Sequence, residues 1–154
     1  MVRIITDSAS DFEVSELKEL MVDCVPLSVN FGDDEHKDNG ELSKNDFFEK
    51  LKNTTEPVKT SQPSLHDIVQ ELEIANSGKD GGVAIFLSSK ISGTANTARI
   101  ACDMTGCKNV YIVDSLTASA GQKLLVEYAV KLRGQGKTAK EIFDGLESVK
   151  SKIS

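Results

Sequence analysis

The chain is poor in the residues on which many enzyme chemistries depend. It has two histidines and three cysteines in 154 positions, and no long run of uncharged apolar residues. Cys24, Cys102 and Cys107 are an odd set with no apolar leader before them, so they read as reduced, cytosolic thiols. Cys102 and Cys107 do not have zinc-knuckle spacing, and His36 and His66 lie far from them in sequence, so no metal site is expected. The longest apolar stretches fall well short of the ~18 residues of a membrane-spanning helix, so no integral membrane segment is expected. The start, Met-Val-Arg-Ile-Ile-Thr-Asp, reaches an acid too soon for a secretory signal. The net charge of −6 and the absence of a basic run argue against nucleic acid as the main partner.

Two further absences narrow the chemistry. No Gly-x-Ser-x-Gly elbow and no dinucleotide-binding glycine fingerprint occurs. Gly134-Gln135-Gly136-Lys137-Thr138 is an incomplete phosphate loop, because Lys131 stands where the first glycine belongs and a helical pattern precedes it. It reads as a glycine helix stop followed by a threonine cap.

What the chain does contain is an ordinary globular complement: with glycine counted, about 46% of it is apolar. Val83–Leu87 and Val110–Val113 are short continuous apolar runs, suited to strands covered on both faces of a parallel sheet, and Val2–Ile5 is a shorter third. Val25, Leu27, Val29 and Phe31 alternate with polar residues, and Pro26 places that strand at an edge. Asn39-Gly40 predicts the turn of a small hairpin within residues 25–42. Helical stripes occur at Leu65/Ile68/Val69/Leu72, at Leu124/Leu125/Tyr128/Ala129/Leu132 and at Ile142/Phe143/Leu146/Val149. A fourth stripe is built from small residues, Ala95, Ala98, Ala101 and Cys102, and shorter helices are expected near 12–21 and 44–52. Ser10/Glu13 and Thr138/Glu141 have capping-box spacing, and Ser43/Asp46 and Ser64/Asp67 are relatives of it. The alternation predicts a layered α/β fold, with a mostly parallel central sheet flanked by helices and a small edge hairpin.

Small hydroxyl residues gather where such strands end: Thr6-Asp7-Ser8, Thr60-Ser61-Gln62-Pro63-Ser64, Ser88 to Thr94, and Asp114-Ser115. In an open parallel sheet these turns face the ligand crevice. Ser92-Gly93-Thr94 opens a helix, where unpaired N–H groups and the dipole favour an anion and Gly93 lets it approach the backbone. From the residues alone this is a small-anion crevice or a set of ordinary N-caps, ligand unassigned.

At these residues the sequence resembles the DegV family of bacterial fatty-acid-binding proteins. The resemblance is carried by Ile5 to Asp11, by Thr60 to Ser64, by Ser88 to Thr94, by Val113-Asp114-Ser115 and by Ser119-Ala120-Gly121. Asp38-Asn39-Gly40 matches the family's hairpin insertion. It implies that residues 1–154 form an N-terminal, EDD-like lobe that binds the carboxylate of a long-chain fatty acid such as palmitate. The family's C-terminal lobe would be absent from this chain. Thr60 and Ser92 would donate hydroxyl hydrogen bonds and the Gly93 backbone would lie beside the carboxylate. Asp7, Ser8, Ser61, Thr94, Asp114 and Ser115 would surround them. The implied role is a cytoplasmic carrier without cofactor or catalysis, its bound acid phosphorylated by a partner fatty acid kinase. The family pattern is departed from at Ala95-Asn96-Thr97-Ala98 and at Gly121-Gln122-Lys123. A tail of about 15 methylenes carries ~12 kcal/mol of gross transfer energy. Much of that tail would stay wet without the other lobe, so weak binding or none is expected. The alternative is an enzyme on small substrates, on a fold related to that of dihydroxyacetone kinase, with Asp7, Asp11 and Asp114 as Mg²⁺ ligands or bases.

Overall fold

A computed structural model describes residues 1–153. In chain order the elements are β1 (Arg3–Asp7), α1 (Val14–Leu20), β2 (Val22–Val25), β3 (Ser28–Phe31), β4 (Asp34–Lys37), α2 (Lys44–Asn53), β5 (Val58–Ser61), α3 (Leu65–Ser77), β6 (Gly82–Phe86), α4 (Thr94–Thr105), β7 (Val110–Asp114), α5 (Ala120–Gly134) and α6 (Ala139–Val149), with 3-10 turns at Ser8–Ser10 and Lys150–Lys152.

Four strands make the parallel sheet the sequence predicts, in the order β2-β1-β6-β7. Successive residues of the central strands serve opposite faces, as the pleat requires. Ile4, Val83, Ile85 and Val113 pack with Leu17 and Leu20 of α1, Leu125 and Ala129 of α5, and Ile142 and Leu146 of α6. Ile5, Ala84 and Phe86 pack with Ile68 and Leu72 of α3 and with Ala95, Ala98 and Ala101 of α4. Both faces are therefore covered, which is why β6 reads as an unbroken apolar run. The small-residue stripe on α4 is buried, as expected.

The segment from 25 to 42 differs from expectation. Pro26 does not sit inside one edge strand; it separates two. β2 is the edge of the parallel sheet, whereas β3 is the middle strand of a second, antiparallel sheet ordered β4-β3-β5. Pro26 lacks the N–H that a continuing ladder needs. The hairpin turns at Gly32-Asp33, with Gly32 at φ 62°, and not at Asn39-Gly40. There the Asn39 side chain instead accepts the Glu41 amide at 3.0 Å, closing a local turn. Both core clusters are assembled from residues outside 26–67, so this small sheet is a satellite.

Other local readings shift by a turn or less. Glu13, paired with Glu16, caps α1, while the Ser10 hydroxyl is drawn to the Asp7 carbonyl at 2.7 Å. Ser43, Ser64 and Thr138 cap α2, α3 and α6 as their spacing predicts. α5 ends at Gly134, and Gly136 at φ 77° turns the chain into the Thr138 cap, so the phosphate-loop look-alike is a stop and a start. The buried stripe of α5 is Gln122, Leu125, Val126, Ala129 and Arg133; Leu124 is exposed. Leu65 is exposed as well. No helix among the described residues is long and apolar enough to cross a membrane.

Candidate functional site

From β1 the chain moves outward to β2, and from β6 it moves the other way to β7. The order thus reverses between β1 and β6, and a doubly wound sheet opens its crevice beyond the carboxyl ends at that place. The loops over it are Ser8–Ser10 after β1 and the segment from Leu87 to Gly93 after β6.

Asp7 fastens the two loops. It is fully buried, and its Oδ2 accepts the Leu87 amide at 2.8 Å while Oδ1 accepts the Ala9 amide at 3.1 Å and Gln122 Nε2 at 2.9 Å. Burial raises its pKa, against the lowering effect of those three donors. Asp114 does the same work two strands over, at the end of β7, its Oδ1 taking the Ser89 and Leu116 amides, each at 3.1 Å. Burial pushes its carboxyl upward, but the bonds from Ser89 and Leu116 outweigh that and hold it below the ordinary value. Both oxygens of Asp7 and Oδ1 of Asp114 are thus spent on holding loops. Asp11 stands apart in a left-handed conformation, with the Ser119 hydroxyl 3.4 Å from its Oδ2. Among the described residues no group of three or more His, Cys, Asp or Glu is placed to hold a metal ion.

The remaining hydroxyls divide between bracing and open positions. Ser8 Oγ accepts the Leu27 amide at 3.0 Å, tying the crevice to the satellite sheet. Ser115, fully buried, donates to the Thr117 carbonyl at 2.9 Å. Ser61 accepts from Asn30 at 3.1 Å. Thr94 is buried and shares a 2.9 Å hydroxyl contact with Ser92, whose Oγ also accepts the Thr94 amide at 3.3 Å. Ser92 is half-buried, and Gly93 is the N-cap of α4, supplying no side chain to the first-turn amides. Those amides lack intrahelical acceptors.

Thr60 lies on β5, exposed, and pairs with Val29 of β3. The Thr60 to Ser64 segment, read from sequence as a polar turn, therefore begins as a strand, held by its β3 partner instead of by an apolar run of its own. Gln62 joins this segment to the start of α4. Its Nε2 donates to Thr97 Oγ1 at 3.1 Å, and its Oε1 lies so near Gly93 that a Cβ there would stand 2.5 Å from it. Gln62 and Gln122 are the functional-region residues to which sequence reasoning assigned no role. Gln122 had a usable signal, since it falls at i−3 and i−4 from Leu125 and Val126 on the inward stripe of α5. It is fully buried and donates to Thr6 Oγ1 at 3.1 Å as well as to Asp7.

Two adjoining clefts flank the satellite sheet. One of about 520 Å³ is lined by Ser8, Ser10, Phe12, Leu17, Cys24 and Pro26 among others. The second, about 480 Å³, is lined by Val29, His36, Leu42, Phe47 and Phe48, and the two share Asp11, Asp38, Leu42 and Lys44. A third, about 440 Å³, lies at the opposite, amino end of the strands, against Met1, Asn109 and residues 136–140. Three of its cations are engaged: Lys137 with Glu141, Lys140 with Asp144, and Arg133 with the Met21 and Leu20 carbonyls at the end of α1.

Fold and site together define a doubly wound α/β lobe whose reversal crevice carries hydroxyls and a helix start capped by a glycine. The chain belongs to the DegV family: the family described as uncharacterised protein, DegV family, matches residues 1–154. A DegV domain-containing protein of Halalkalibacterium halodurans is 38% identical over 154 residues, covering 99% of this chain and 54% of that protein. One from Staphylococcus aureus is 33% identical over 152 residues, covering 97% of this chain and 53% of the relative. The chain thus spans about half the length of the curated relatives it matches. Among solved structures, DegV, a fatty acid binding protein from Bacillus subtilis, superposes with a TM-score of 0.89 at 28% identity, covering 97% of this chain and 54% of that one. A Thermotoga maritima protein whose structure reveals fatty acid binding function gives 0.84 at 31% identity, with 96% and 54% covered.

Proposed function

We propose that this chain binds a long-chain fatty acid, palmitate being a representative, by its carboxylate. Thr60 and Ser92 donate hydroxyl hydrogen bonds to it, and the Gly93 backbone lies alongside. The observation that carries the reading is the start of α4. Gly93 caps it without a side chain, the Ser92 hydroxyl stands next to it, and Gln62 fastens the Thr60 segment to it. Helix-start amides and two alcohols replace the water that a carboxylate loses on binding, and the helix dipole favours its charge. The fatty-acid-binding relatives from Bacillus subtilis and Thermotoga maritima support the choice of a lipid over a bare anion.

In this reading the chain is a cytoplasmic carrier, with no chemistry of its own. It presents the carboxylate to a partner kinase, and residues 1–154 are the head-group-binding lobe of the family. The commitment of Asp7 and Asp114 to backbone donors supports a carrier over an enzyme of the dihydroxyacetone-kinase-related kind. Native mass spectrometry of freshly purified protein tests it. A long-chain fatty acid is expected, reduced in Thr60→Val and Ser92→Ala; a nucleotide in its place would overturn the reading. Acyl phosphate is expected only when a fatty acid kinase and ATP are both added.

A further inference from the structure

Two of the three thiols meet at the far end of α4. The helix stops at Gly106, whose φ of 67° is one that side chains disfavour. The chain turns back there, and the Gly106 and Cys107 amides both donate to the Cys102 carbonyl, the second at 3.0 Å. A left-handed stop of this kind lays the residue just beyond the turn against one in the last turn of the helix. Here those residues are Cys107 and Cys102, both free, and their thiols face one another. The two differ in access. Cys102 is buried in the apolar layer of α3 and α4, and burial first, then the neighbouring Cys107, keeps its proton on. Cys107 is half-buried at the edge of that layer, its sulfur 3.2 Å from Thr105 Oγ1 and 3.9 Å from the Leu72 carbonyl. Cys24 lies on β2 and takes no part in the pair.

We propose that Cys102 and Cys107 are a redox-modification site, which a low-molecular-weight disulfide such as oxidised glutathione converts to an intramolecular disulfide. The Cys107 sulfur, as thiolate, attacks one sulfur of the oxidant; a bond forms between them, the oxidant's S–S bond breaks, and one glutathione leaves as a thiol, taking up the proton that Cys107 gave up. Cys102 then loses its proton and attacks Cys107. The Cys102–Cys107 bond forms, the mixed disulfide breaks, and the second glutathione leaves as a thiol with that proton. Two protein thiols are oxidised and one external disulfide is reduced to two thiols. The order follows from access, since a reagent in solution meets Cys107 first and Cys102 faces its neighbour. In a reducing compartment such bonds are transient and report the redox state. The pair lies at the end of α4 opposite Gly93, so this site and the carboxylate reading stand independently of each other.

Trypsin cuts after Arg99 and Lys108, so residues 100–108 carry both cysteines in one peptide. The folded chain is incubated with oxidised glutathione at about pH 8, quenched with acid, unfolded in N-ethylmaleimide, and its peptides are weighed. The 100–108 peptide is expected to be lighter by two hydrogens, to carry neither maleimide nor glutathione, and to regain both thiols after dithiothreitol. Cys102→Ser should retain one glutathione on Cys107, whereas Cys107→Ser should take none on Cys102; circular dichroism establishes that each variant folds. Glutathione persisting on Cys107 of the unsubstituted chain, or a 100–108 peptide recovered with both thiols free, would overturn the proposal.

Discussion

Replacing Asp7 separates bracing from catalysis. The Leu87 amide it accepts at 2.8 Å is buried, as is Asp7 itself. Asp7→Ala leaves that N–H unpaired at about 1–3 kcal/mol, and weakens the hold on Ala9 and Gln122 by somewhat less, because Gln122 keeps Thr6. Relief of the burial that raises the Asp7 pKa offsets part of this. The net expectation is a loss of about 2–4 kcal/mol, or a fall in Tm of roughly 5–15 °C for a chain of this size. Asp7→Asn is the sharper test. Its amide nitrogen must face either the Leu87 N–H or the Ala9 and Gln122 donors, so the isosteric change costs about as much as alanine. A residue kept only for metal binding or proton transfer would tolerate asparagine thermally. The pH dependence follows from the sign of the shift. A folded-state pKa above the ordinary 3.8 means the wild type gains stability from this group as pH falls from neutral through the raised value. The substituted carboxamide does not titrate, so the gap between wild type and Asp7→Asn widens on acidification. Thermal and urea unfolding followed by circular dichroism measure both effects. An Asp7→Asn variant melting within about 2 °C of wild type would refute the reasoning.

Three other expectations follow from the structure. Glu141, at the start of α6, is held down to about 2, first by the Thr138 amide and then by Lys137. Its contribution to stability is present above the ordinary 4.5 and lost as pH falls through about 2. An NMR titration of its side chain should show the low midpoint, rising in Lys137→Met. Burial pushes the thiols of Cys24 and Cys102 up to about 12, so iodoacetamide at about pH 8 should modify neither until denaturant is added; labelling of Cys24 in the folded chain contradicts this. Ala98 lies fully buried in the small-residue stripe of α4, so Ala98→Leu should cost about 1–3 kcal/mol in urea unfolding.

The parts of the fold legible in sequence are those whose cause is local or repeated. β6 and β7 announced themselves because both their faces are covered, and the helices because their buried stripes recur at helical spacing. Capping at Ser43, Ser64 and Thr138 needs only residues three apart. β5 was illegible because Val58–Ser61 contains no apolar run; it is a strand only because β3 lies beside it. The hairpin turn was misplaced because Gly32 and Gly40 both adopt positive φ, and which of them reverses the strands is decided by pairing elsewhere in the chain. In the candidate site, the hydroxyl turns and the α4 start were visible as composition. The links made by Gln62 and Gln122 span 35 and 115 residues, a separation at which no spacing rule operates.

The satellite sheet lends no side chain to either core cluster and is moored mainly by Ser8 to Leu27, Lys37 to Asp67 and Gln62 to Thr97. Selection can therefore alter residues 28–61 with little penalty in melting temperature. Resistance to heat is therefore set elsewhere, in the two apolar layers that cover β1 and β6.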